Sequence, residues 1–193
     1  AQIAGTANGG TGISSVQVAI LKNGASPLWF DGTNFTQNQV APYFLNATGT
    51  TSWSYGPATL SGAMVDHAYY TIVARAVAPS GQTQSVYAAG ISSITLTMDK
   101  TAPSAAVTTP PTHGASYQPA NIGQAASLLN GTASDSGTNA SGVKDVQIRL
   151  SYLLSGDTYY WGGAAFSSNT TATAAWLAAS TGGSSWTYPL TIT

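Results

Sequence analysis

The chain has no cysteine and no glutamate, and charged side chains make up only 6% of its 193 residues. Each shortage removes a class of function. Without thiols there is no disulfide framework and no thiolate metal site. Hydrolysis through a pair of carboxylates, one of them kept protonated, has only six acidic residues to draw on, all Asp. Five scattered Lys and Arg residues cannot neutralise the phosphates that nucleic-acid binding requires. No apolar run reaches the ~20 residues of a membrane-spanning helix. No signal-peptide pattern is visible. The first residue already lies in a β-like pattern, as expected of a segment cut from a longer chain.

What is present is apolar and aromatic. Hydrophobic residues make up 43% and aromatics 10%, enough for a core and the reverse of a disordered composition. Polarity comes from Ser, Thr, Asn, Gln and Gly. Such a surface carries little repulsion to keep copies apart. It suits a protein that packs against its neighbours or is coated with sugar. Scarce Lys in a Ser/Thr/Gly-rich chain without Cys points to an extracellular or cell-surface setting.

The chain repeats itself. Gly5-Thr-Ala and Gly131-Thr-Ala each lead through a Gly-rich loop to Gly12 or Gly142 and then to an alternating strand. Val16, Val18 and Ile20 match Val146, Ile148 and Leu150, with Gln17 and Gln147 on the opposite face. In the same order Trp29 pairs with Trp161, Phe35 with Phe166, Phe44-Leu45 with Trp176-Leu177, and "SWSY" from Ser52 with "SWTY" from Ser185. The offset drifts from 126 to 133 residues, as loop insertions would make it. Residues 57–98 follow the first copy without a counterpart after the second, and residues 103–122 precede the second without a counterpart before the first. About one and a half repeats are therefore expected, incomplete at both ends. The first, 1–100, lacks its first strand; the second, 101–193, lacks its last strands.

Period-two alternation marks the strands. In "YYTIVARAV", Tyr70, Ile72, Ala74 and Ala76 are expected inward, with Thr71, Val73 and Arg75 outward. "SSITLTM" sets Ile94, Leu96 and Met98 against Thr95 and Thr97. Only "TATAAWLAAS" and "NIGQAASLLN" have helical character, and the first reads as a strand edge or a short helical turn. An all-β chain of antiparallel sandwiches is the natural class.

One motif narrows the class. Asp66, Ala68, Tyr70, Ile72 and Ala74 resemble the Asp-x-Ala-x-Tyr-x-Cys-x-Ala signature of an immunoglobulin strand F, with Ile72 at the Cys position. That resemblance implies a tyrosine corner built on Asp66 and Tyr70. The whole repeat resembles the bacterial Ig-like tandem repeats of large surface and adhesin-like proteins. The matching segments are Gly131 to Asp135, Val146 to Leu150, Tyr160 to Gly163, Trp186 to Tyr188, Tyr70 to Ala76, and the Asp99 to Pro103 linker. The chain departs from that pattern at Ala78 and Gln82, where the family often carries Asp and Asn. The resemblance implies tandem immunoglobulin-like sandwiches acting as a structural element.

Candidate sites are few. Asp31, Asp135, Asp145 and Asp157 stand in turns or at strand starts, where Asp is ordinary. His67 and His113 have no ligand partner at short spacing, and no Gly-x-Ser-x-Gly elbow occurs. No active site, and no enzyme, is expected. Calcium is the only cofactor worth weighing. Asp135, Ser136 and Asn139 share a loop and Asp99 stands in the linker, but one carboxylate is few for roughly six to eight oxygen ligands. An Asx-rich turn is the favoured reading. Lys22 and Lys144 offer no matched positions for a Lys–Asn cross-link. Asn34, Asn46, Asn130, Asn139 and Asn169 fit the glycosylation pattern. Trp29, Trp53, Trp161 and Trp186 recur between copies and are read as core or seam fillers. The expected role is a stiff, extended shaft, stalk or fibre whose partners are neighbouring repeats or copies of itself, assembling laterally or by exchange of strands where the ends are incomplete. The alternative is a module that binds glycan or a host-surface ligand.

Overall fold

The computed structural model of the chain describes residues 2–10, 12–118, 122 and 128–190. The chain divides into two compact units, Ala1–Lys100 and Thr101–Thr193. Both are built of antiparallel β-sheets. Among the described residues no helix is long and apolar enough to cross a membrane.

The first unit holds nine strands among its described residues: β1 (Ile3–Thr6), β2 (Ser15–Lys22), β3 (Leu28–Phe30), β4 (Phe35–Gln37), β5 (Leu45–Asn46), β6 (Thr48–Gly49), β7 (Ser52–Tyr55), β8 (Tyr69–Val77) and β9 (Ser93–Thr97). One sheet runs β1-β7-β6; the other runs β4-β3-β2-β8-β9, with β5 also pairing β2. The alternation of β2 does what its period requires. Val16, Val18 and Ile20 are almost wholly buried and cluster with Phe30, Trp53, Leu60, Met64 and Tyr70. Eight consecutive residues of β2 pair with β8, from Ser15↔Val77 to Lys22↔Tyr70.

The second unit holds β10 (Ser104–Thr109), β11 (Leu128–Ser134), β12 (Gln147–Ile148), β13 (Ser151–Leu154), β14 (Asp157–Trp161), β15 (Phe166–Ser167), β16 (Leu177–Ala178), β17 (Ser180–Gly182) and β18 (Ser185–Pro189). Its sheets run β10-β11-β18-β17, β13-β14-β15 and β12-β16. Leu129, Ala133, Val146, Ile148, Trp161, Trp186 and Leu190 form the core.

Several local arrangements stand in both units. Gly5 pairs with Trp53, and Gly131 with Trp186. Each glycine lies under its indole: a Cβ would fall 2.7 Å from Trp53 Cζ2 in one case and 2.5 Å from Trp186 Cζ2 in the other. Val18 pairs with Leu45, and Ile148 with Leu177. The Ala47 N–H donates to Val16 O at 2.8 Å and the Ala179 N–H to Val146 O at 2.9 Å. Phe30 opposes Phe35, and Trp161 opposes Phe166. Between them the Asp31 N–H donates to Asn34 O, and the Gly162 N–H to Ala165 O. Gly32 and Gly163 take φ of +106° and +100° to make that turn, a region glycine enters without strain.

Three expectations need correction. Trp29 is not the counterpart of Trp161: the strand pairing and turn bonds put Phe30 in that place. Trp29 pairs with Leu21, on the face of β2 away from Val18 and Ile20. It is buried there, and its Nε1–H donates to Gln39 O at 3.0 Å. Val73, expected outward, is buried because it lies opposite the wholly buried Ala19 on the covered second face of the sheet. The helix of the first unit, α1 (Leu60–Ala63), lies where none was expected. It buries Leu60 and carries Met64 into the core. "TATAAWLAAS" is a turn with an Ala175 N–H to Thr171 O bond, followed by β16. Most of "NIGQAASLLN" lies outside the described residues; its last three residues open β11.

Candidate functional site

Tyr70 has no exposed surface, and its hydroxyl accepts the Val65 N–H at 2.7 Å. The side chain thus fastens its own strand to backbone five residues upstream, as a corner tyrosine does. Burial pushes its pKa above the usual value; the Val65 bond offsets part of that rise. Asp66 works beside it. One carboxylate oxygen accepts the Lys100 N–H at 2.6 Å and the His67 N–H at 3.1 Å. The other lies 3.5 Å from His67 Nε2. The Lys100 ammonium donates to the carbonyls of Ser61 and Met64. These bonds tie the end of α1 to the end of β9.

Asp99 joins this knot. Asp66, His67 and Asp99 present ligand atoms within 4.8 Å of one another, the one such trio among the described residues. Three ligands fall short of the roughly six to eight a calcium ion takes, and Asp66 is already engaged with backbone. The trio is a fastening of the first unit. Sequence spacing hid it, because His67 and Asp99 meet only through the pairing of β8 with β9, which sets Tyr69 opposite Thr97.

The Asp135 loop closes on itself. Asp135 Oδ2 accepts the Gly142 N–H at 2.8 Å and the Ser141 hydroxyl at 3.4 Å. Asn139 takes a left-handed φ of +63°, which Asn tolerates. An Asx-braced loop accounts for both residues. At the β3–β4 turn Asp31 plays a similar part, accepting the N–H groups of Thr33 and Asn34 and the hydroxyl of Thr36. The Thr36 hydroxyl bond, then the two N–H bonds, lower its pKa. At Tyr55, burial first and the Asp31 charge second push the phenol upward.

Of the sequon residues, Asn34, Asn46, Asn139 and Asn169 are exposed, while Asn130 is half-buried in β11. The Asn46 side chain is engaged by Gln17, and that of Asn130 by the Thr108 hydroxyl. The four tryptophans read as core or seam fillers, Trp29, Trp53, Trp161 and Trp186, are all buried. None offers a free ring face for stacking on sugar. The exposed indole is Trp176, at 47%.

Trp176 borders an apolar cleft of about 330 Å³ in the second unit, lined by Ala106, Leu129, Ile148, Leu150 and Trp186 as well. Arg149 lies over the Trp176 ring, 4.9 Å from its centre. No titratable side chain except that arginine lines the cleft, so it supplies no acid–base pair. It can accept apolar side chains and, along β12, main-chain hydrogen bonds.

The class these features define is an all-β protein of antiparallel sheets with a fastened corner and an apolar cleft. Comparison with protein-family models, curated proteins and solved structures finds no match to this chain.

Proposed function

We propose that the two units are copies of one immunoglobulin-like sandwich repeat, and that the chain is a structural segment of an extracellular fibre, stalk or adhesin shaft. The observation that carries this reading is the recurrence of one scaffold in both units: the glycine under an indole, the β2–β5 and β12–β16 pairs, and the aromatic hairpin with its glycine turn. The corner made by Tyr70 supports the immunoglobulin-like assignment. The low charge of the chain suits dense packing against neighbouring repeats. In this reading Asp66, Asp99, Asp135 and Asn139 serve the scaffold.

A shaft must resist pulling. Stretching the full chain by single-molecule force spectroscopy is expected to give two separate unfolding steps, one per unit. Unfolding of the whole chain as one event, or without resistance, overturns the repeat reading. The alternative, a glycan-binding module, rests on Trp176. A glycan array that shows binding abolished by Trp176→Ala favours that module over the shaft.

A further inference from the structure

Strands β2 and β12 differ in what covers them. β2 is paired on both sides, with β8 along one edge and β3 and β5 along the other. Among the described residues β12 pairs with β16 alone. Val146 gives its carbonyl to the β16 side, through the Ala179 N–H. Successive residues of a strand alternate in direction, so Gln147 and Arg149 aim N–H and C=O at the other edge. In the first unit the residues at those places, Gln17 and Ala19, face Arg75 and Val73 of β8. An open edge of this kind is a template for another strand.

We infer that the open edge of β12, with the apolar cleft beside it, takes a β-hairpin of the β8–β9 type from another copy of this repeat. The inference rests on the two units being copies of one repeat. In the first unit Ile72 lies opposite Ile20, and Ala74 opposite Val18. The same register sets Ile72 of the incoming hairpin opposite Leu150, and Ala74 opposite Ile148. Both of those residues line the cleft. Leu150 is half-buried, whereas Ile20 under β8 is 1% exposed.

The polar side of the pairing fits as well. Arg75 Nε donates to Gln17 Oε1 at 2.8 Å, and its guanidinium lies 3.7 Å over the Phe44 ring. In the second unit Gln147 and Trp176 stand at those places, both exposed. The Trp176 ring already takes a guanidinium, that of Arg149. The occupant is therefore a strand with Tyr, Ile and Ala on one face and Arg on the other, as in "YYTIVARAV".

The test adds a synthetic peptide of residues 66–99 to the full chain and follows amide hydrogen exchange. The expected result is saturable one-to-one binding, with exchange at Gln147–Leu150 slowed at least tenfold. A peptide N-methylated at Val73 and Arg75 keeps every side chain but loses the donors that face the template; it is expected not to bind. On the protein, Gln147→Pro removes one outward N–H and is expected to weaken binding at least tenfold while leaving the fold intact. If that variant fails to fold, the N-methylated peptide still decides. Absence of binding, binding indifferent to N-methylation, or protection elsewhere overturns the inference. Exchange without peptide separates the two readings. Protected β1–β7 and β11–β18 pairs with no peptide binding would sink the docking alone. Absence of protection at either pair would sink the repeat reading.

Discussion

The two units are open in complementary places. In the first, β1 pairs among the described residues with β7 alone, and a cleft of about 300 Å³ lined by Ile3, Gly5, Trp53, Ile72 and Ile94 lies beside it. In the second, the matching edge is closed by β10, whose residues Ser104 to Val107 pair with Ser134 to Gly131 of β11. The first unit closes β2 with β8; in the second, no described strand closes that edge of β12. The difference shows what each covering strand does for the strand beneath it. Under β8, β2 runs eight residues without a break. The corresponding stretch of the second unit is broken into β12, of two residues, and β13, of four. Among the described residues β12 has ladder bonds on one edge only, and just two of its residues pair. Ile94, on the open flank of the first unit, is 50% exposed.

The comparison breaks most sharply at the paired glycines. The nearest atoms a Cβ at Gly5 would meet all belong to the Trp53 ring, a side chain that can tilt. One at Gly131 would meet the Trp186 ring and the backbone carbonyl of Ala106 in β10. Gly131→Ala is expected to destabilise the second unit by about 1–3 kcal/mol, in the range of core overpacking, and to free the β10 amides in hydrogen exchange. Gly5→Ala is expected to cost the first unit less in the same denaturant titration. Equal losses would mean that β10 does not press on β11 as described.

Next in size is the corner, which the first unit has and the described second unit does not match. Tyr70→Phe removes the acceptor of the Val65 N–H. The expected loss is about 1 kcal/mol, the net worth of an ordinary hydrogen bond, confined to the first unit. Tyr70 also makes that unit sensitive to alkali. Its folded pKa lies above the ordinary tyrosine value of about 10, so the native state holds the proton more tightly than the unfolded chain does. The stabilisation is whole below about pH 10 and is lost as pH rises from there through the folded pKa. Thermal melts across that window should show the first unit weakening, and Tyr70→Phe should reduce the slope.

The smallest effect is expected at Trp161. Its Nε1–H is buried without a hydrogen-bond partner, and Phe30 fills the corresponding place with no polar atom at all. Trp161→Phe loses ring volume but relieves an unsatisfied donor, and these costs are similar in size. Stability measured by denaturant is expected to stay within about 1 kcal/mol of the parent. A loss of 3 kcal/mol or more would break the match between Trp161 and Phe30.

Much of the fold was legible in the sequence because strand alternation and glycine placement are local. "SVQVAIL" carries its buried face in its own spacing. The Gly-Thr-Ala and Trp-x-Tyr motifs announce a pair of strands that do meet, glycine against indole. Residue type alone aligns Trp29 with Trp161, whereas spacing aligns Phe30 with it. Phe35 and Phe166 are 131 residues apart, as are Gly32 and Gly163, and as are Phe30 and Trp161. A constant offset across that hairpin was the available signal. Val73 was misplaced because alternation marks the apolar face of a sheet covered on one side, and this sheet is covered on both. The Asp66, His67 and Asp99 trio and the cleft beside β12 depend on which strands pair, and no local pattern encodes that.

The glycines under the indoles have a spectroscopic consequence. An aromatic ring circulates current in a magnetic field and shields protons held over its face. One α-proton of Gly5 and one of Gly131 point along the direction a Cβ would take, towards the rings of Trp53 and Trp186. Each unit therefore carries its own resonance, displaced upfield from the crowded glycine region. The two signals report separately on whether each unit is intact.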